Sequence, residues 1–139
     1  MWGLFVVSPV NLRLGFFENF KGTDSVLLAG SSHDIALLSA SLNGFVASQE
    51  SVLPIHSLAS VAPNHSVQLF AQRAPSSPQC QPLQFHWLCS PNEYANVQGK
   101  LEALATSAHG HQYFELIGSP AQLVVSVGEY GASWWQAQG

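Results

Sequence analysis

Apolar and polar positions along this chain follow two periods, and the places where the period changes mark its elements. From residue 31, SSHDIALLSASLNGFVAS carries apolar side chains at Ile35, Leu38, Leu42, Phe45 and Val46. Steps of three and four place them on one stripe of a helix over 31–48. From residue 90, SPNEYANVQGKLEALATS repeats the spacing with Tyr94, Val97, Leu101, Leu104 and Ala105, which predicts a second helix over 90–107. Both segments open on serine with an acid three residues on, Ser31 with Asp34 and Ser90 with Glu93. Ser90 and Glu93 fit a capping box, in which hydroxyl and carboxylate each accept a backbone N–H at the helix start, and Pro91 suits the first helical position. Asp34 is a shorter version of the same device.

The runs around the helices read as strands. SVLLAG (25–30) and QFHWLC (84–89) lead into the helices, VLPIH (52–56) and HSVQLFAQ (65–72) follow the first, and HQYFELI (111–117) and AQLVVSV (121–127) follow the second. In 65–72, Val67, Leu69 and Ala71 alternate with polar Gln68 and Gln72. Pro54 has no N–H to give a ladder, so its strand is short or at an edge. Leu123 to Val127 is apolar enough for a central position. Each half therefore reads strand, helix, strand, strand, over 25–73 and 84–128, with APSSPQCQP (74–82) as a linker. GLFVVS (3–8) and NLRLGFF (11–17) form an additional N-terminal hairpin. The expectation is one α+β domain over 1–139, with an antiparallel or mixed sheet and both helices on one face. In element order alone this resembles the effector-binding domains of bacterial drug-responsive regulators, which double the same unit.

Composition narrows the functional classes. The chain has 139 residues, 47% of them hydrophobic, enough for a core of its own. Only 9% are charged, against roughly 25% in an average soluble protein. A weakly charged surface repels itself little and favours association with a partner or with copies of itself. The basic residues, Arg13, Lys21, Arg73 and Lys100, are scattered through a chain of net charge −4, so phosphate neutralisation by a basic cluster, and with it nucleic-acid binding, is not expected. The apolar run of MWGLFVVSPVNLR stops at Val7 before a serine and a proline, too short for a signal peptide or membrane span. Cytoplasmic location, no membrane association and no cofactor are the expectations. Cys80 and Cys89, nine apart, form neither a disulfide framework nor a C-x-x-C motif and read as free thiols.

One segment invites a metal. HGHQYFE, 109–115, has the H-x-H-x-x-x-E spacing and resembles part of the first metal-binding motif of cupins. That resemblance implies a metal-dependent enzyme centred on His109, His111 and Glu115. The glycine that motif places six residues earlier is Ala103 here, and no second motif with a third histidine follows. On one strand His109, His111, Tyr113 and Glu115 share a face, but four residues still separate Glu115 from His111 by about 13 Å at roughly 3.3 Å per residue. Zinc takes its ligands near 2 Å, so structural or surface histidines are the stronger expectation. No G-x-S-x-G, phosphate loop or thiol–imidazole pairing is present, and Cys89 reads as a buried structural cysteine.

The C-terminal stretch GEYGASWWQAQG is aromatic, and Trp and Tyr are the residues that anchor interfaces. Neighbours in an extended chain face opposite ways, so one of Trp134 and Trp135 is expected to remain for a partner. Together these features predict a non-catalytic protein-binding module, in its most specific form a toxin-neutralising immunity protein of a bacterium. Tyr130, Trp134 and Trp135 would make the contact, with Glu129 facing a basic patch on the toxin enzyme. The alternatives are the metal-dependent enzyme and a homo-oligomeric structural module that self-associates.

Overall fold

The computed structural model describes residues 11–61, 66–74 and 81–138; the first strand of the expected N-terminal hairpin (3–8) lies outside them. The elements are β1 (Leu12–Phe20), β2 (Thr23–Gly30), α1 (Ser32–Ala47), β3 (Val52–Pro54), a 3-10 turn (Ile55–Ser57), β4 (Ala59–Val61), β5 (Gln68–Gln72), β6 (Gln84–Leu88), α2 (Tyr94–Ala105), β7 (Gly110–Glu115), β8 (Gln122–Val127) and α3 (Ala132–Gln138). The fold is α+β, as the sequence predicts, but its strands form two mixed sheets rather than one. The larger has the order β4-β1-β2-β8-β7 and the smaller β3-β5-β6. The 3-10 turn carries the chain from β3, an edge of the small sheet, to β4, an edge of the large one.

Pairing explains why two sheets arise. β2 lies parallel to β8, Val26 opposite Leu123, and β6 lies parallel to β5, Phe85 opposite Leu69. β3 is antiparallel to β5 and β7 to β8. In terms of the two strand-helix-strand-strand units, the leading strand of each lies beside the closing strand of the other. β1 and β2 make an antiparallel hairpin. Its loop, Lys21-Gly22, has φ of 51° and 95°, the doubly positive pattern of a two-residue turn whose twist matches that of the strands it joins. Pro54 lies in a three-residue edge strand and β8 is central, both as predicted.

The helix stripes do what their spacing predicts. Ile35, Leu38, Leu42 and Phe45 of α1, and Tyr94, Val97, Leu101 and Leu104 of α2, are buried. They join Leu12, Leu14, Val26, Leu28, Leu123, Val125 and Val127 of the large sheet and Leu69, Phe85 and Trp87 of the small one in a single cluster. Phe16 stacks on Phe85 at 5.3 Å, and Trp87 meets Phe114 at 5.0 Å. No described helix is long and apolar enough to cross a membrane.

The caps reverse the expected ranking. The complete capping box is at α1: the Ser31 hydroxyl accepts from Asp34 N–H at 3.2 Å and the Asp34 carboxylate accepts from Ser31 N–H at 2.9 Å. Asp34 also accepts from Asn11 N–H at 2.9 Å and from the Ser31 hydroxyl at 2.8 Å. Burial alone would raise this carboxyl, but those bonds outweigh it and hold Asp34 below its ordinary value. At α2 the Ser90 hydroxyl accepts from Glu93 N–H at 3.3 Å, without a side-chain bond at the start of the helix, which begins only at Tyr94.

Candidate functional site

The large sheet has a second face, turned away from α1 and α2. Strand alternation puts Leu27, Ala29 and Val124 there, between inward-facing neighbours. They form a smaller cluster with Trp135 of α3, flanked by Phe17, Phe20, Tyr130 and Trp134. Gly15 makes room for that helix: a Cβ at this position would lie 3.0 Å from the Trp135 ring and 2.9 Å from that of Phe17. Because 132–138 is helical, the two tryptophans are about 100° apart rather than opposed, and both reach the same layer. Trp135 is 5% exposed, and its Nε1–H donates to the Tyr130 carbonyl at 3.1 Å. Trp134 is half-buried against Tyr130 (4.7 Å), Phe17 (5.3 Å) and Phe20 (6.2 Å).

Beside this layer is an open cleft of about 120 Å³, lined by Phe20, Lys21, His111, Tyr113, Gln122, Val124 and Tyr130. Tyr113 projects from the edge strand β7 and is 46% exposed. His111, two residues earlier on the same face, meets its ring edge-on at 5.2 Å. His111 Nδ1 lies 3.0 and 3.2 Å from the two carboxylate oxygens of Glu129, which also accepts from the Ser126 hydroxyl at 2.7 Å. Burial would raise the Glu129 carboxyl; the bonds from Ser126 and His111, with the charges of His111 and Lys21, hold it below its ordinary value. An ionised carboxylate on Nδ1 selects the tautomer with its proton there, leaving Nε2 as the second functional nitrogen. Lys21 Nζ lies 5.8 Å from the ring centroids of both Phe20 and Tyr130. The neighbouring Tyr130 side chain foremost, with Glu129 and Tyr113 contributing less, raises its pKa.

The four predicted contact residues are brought together on this face but in different states. Trp135 is core, Trp134 and Tyr130 are partly covered, and Glu129 is engaged behind His111 instead of presenting a free charge. The seven-residue motif is not gathered: His109 precedes β7, Glu115 ends it opposite Gln122, and the carboxylate on His111 is that of Glu129. Among the described residues no three His, Cys, Asp or Glu side chains come close enough together to hold a metal ion. Cys89 is buried and its thiol is pushed up to about 12 by that burial; Cys80 lies outside the described residues.

Sequence reasoning missed Phe20, Lys21 and Ser126. The signal for Lys21 was present in FKGT, where a basic residue before glycine between two strand-like runs marks a hairpin tip. The pairing of residues 111 and 129 had no such signal, since it depends on β7 lying against β8. No family model, curated protein or solved structure matches this chain.

Proposed function

We propose that this chain is a protein-binding module and that its contact surface is the outer face of the large sheet around Tyr113, Tyr130 and Trp134. The observation that carries the reading is the gathering of aromatic rings and a lysine, only partly covered, on one face beside an open cleft. Tyr and Trp supply large, stiff, amphipathic contact area, which is why they dominate the energetics of interfaces. The low charged fraction of the chain supports the same reading, because little desolvation opposes docking. In its specific form the module is an inhibitor of the immunity-protein type, which neutralises a toxin enzyme by covering its active site.

The test is a binding measurement on a partner captured with the wild-type chain. Tyr113→Ala with Trp134→Ala is expected to lower affinity at least about thirtyfold, the effect of losing a hot spot of about 2 kcal/mol, while the thermal midpoint shifts little. Equal affinity in wild type and double variant rules this face out. Trp135 is left intact because its substitution would disturb folding.

A further inference from the structure

The cleft beside β7 carries a chemistry that aromatic docking does not require. We infer that it is an oxyanion site, built to take one carboxylate or similarly charged group at Lys21 and His111. The inference goes beyond protein binding and does not depend on it.

Three observations converge. The first is what lines the cleft: Lys21, whose Nζ lies 5.8 Å from the rings of two other lining residues, Phe20 and Tyr130, together with His111, Gln122 and the apolar Val124. Lys21 can only donate, Tyr130 and Gln122 each carry a donor, and the imidazole adds one at Nε2 once it is protonated. The neighbouring carboxylate, Glu129, is not among the lining residues; it stands behind the imidazole on Nδ1.

The second is the arrangement of His111 itself. No described residue hydrogen-bonds its Nε2. When an oxyanion arrives there, the imidazole takes up a proton and donates from Nε2, and Glu129 on Nδ1 compensates the new positive charge. The charged and titratable groups around His111 are Glu129 from the turn after β8, Tyr113 from β7, Lys21 from the β1–β2 turn and Tyr130. Because a proton is taken up with the anion, binding tightens as pH falls.

The third is the backbone of Lys21. Its φ of 51° belongs to a turn position that selects Asn, Asp or Gly, and a lysine there is held in a conformation its own side chain disfavours. Conformational preference does not explain a lysine at this position, whereas a requirement for an ammonium over the cleft does.

The experiment uses benzoate as the probe, an anion of constant charge across neutral pH, with benzamide as its uncharged match. NMR follows the imidazole resonances of His111. Benzoate is expected to shift them saturably and benzamide not. Lys21→Asn, which suits the turn better, is expected to keep or raise the thermal midpoint while weakening benzoate binding at least tenfold. His111→Gln should weaken it comparably and flatten its pH dependence. A blocked glutamate that binds as well as benzoate assigns the anion to an acidic side chain of a macromolecule, and preference for benzoate assigns it to a free aryl acid. Absence of saturable shifts, equal shifts with benzamide, or unchanged affinity in Lys21→Asn overturns the proposal. Loss of benzoate binding in Lys21→Asn with partner affinity unchanged, or the reverse in the Tyr113 and Trp134 double variant, separates this proposal from the protein-binding reading.

Discussion

The two faces of the large sheet are made from the same strands, yet they are finished differently. The inner face is covered by two helices and the small sheet, and Leu12, Leu14, Val26, Leu28, Leu123 and Val125 are wholly buried there. Among the described residues the outer face receives only the seven of α3, and Leu27, Ala29 and Val124 pack there with one tryptophan and its aromatic neighbours. Beyond that cover the face passes into polar and titratable side chains. The inner face spends its side chains on cohesion. The outer face needs only enough cover to hold the sheet, and its remainder is available for chemistry.

Substitutions test that contrast most strongly where burial is greatest. Leu28→Ala on the inner face should lower unfolding free energy by about 4 kcal/mol, within the range for a buried leucine that leaves a cavity. Urea denaturation measures it, and a value near zero would mean the inner face is loosely packed. Trp135→Ala on the outer face should cost about 3 kcal/mol, at the low end for a buried tryptophan because its layer is thin. Gly15→Val, which pushes a side chain into the Trp135 and Phe17 rings, should cost about 2 kcal/mol as overpacking, with the near-UV circular dichroism of the tryptophans altered. An unchanged spectrum would show that α3 does not rest on β1.

Smaller effects sharpen the comparison. The depressed pKa values of Asp34 and Glu129 stabilise the fold above the unfolded carboxyl range near pH 4, and that contribution is lost as pH falls through the lower folded values. Asp34→Asn should therefore cost about 1 kcal/mol near pH 7, as for a lost helix cap, with the difference from wild type closing as pH falls below the ordinary carboxyl range. Glu129→Gln should show the same sign with a smaller amplitude, because solvent screens that pair. Tyr113→Ala, exposed on an edge strand, should change stability by no more than about 0.5 kcal/mol. A larger loss would make that ring part of the fold instead of its working surface.

What could be read in the sequence is local. Stripes at Ile35, Leu38 and Leu42 and at Tyr94, Val97 and Leu101 declare helices because their period is set by the helix itself. Val67, Leu69 and Ala71 declare a strand in the same way. The division into two sheets was not legible, because it depends on β2 meeting β8 and β5 meeting β6, choices that no local period encodes. α3 was missed for another reason: seven residues are too few for a helical stripe, and the segment is held by Trp135 packing on a sheet face the sequence cannot show. The cleft shares that opacity. Phe20 and Lys21, His111 and Tyr113, and Tyr130 come from three distant stretches of chain, and none is unusual in its own neighbourhood.

The exchange of strands between the two units has a temporal consequence. β2 is made early but lies between β1 and β8, and β8 is the last strand of the described chain. The large sheet cannot close until almost everything through Val127 is present, and the small sheet likewise waits for β6. Neither unit can therefore mature as an independent piece while the chain is still emerging, and contacts so distant in sequence make for slow folding. The same interlock means that two fragments separated between Ala74 and Gln81 would each lack a partner strand and would each supply the one the other needs. Mixed together they should restore a common fold, and in an intact chain the same exchange offers a route to reciprocal pairing between two copies.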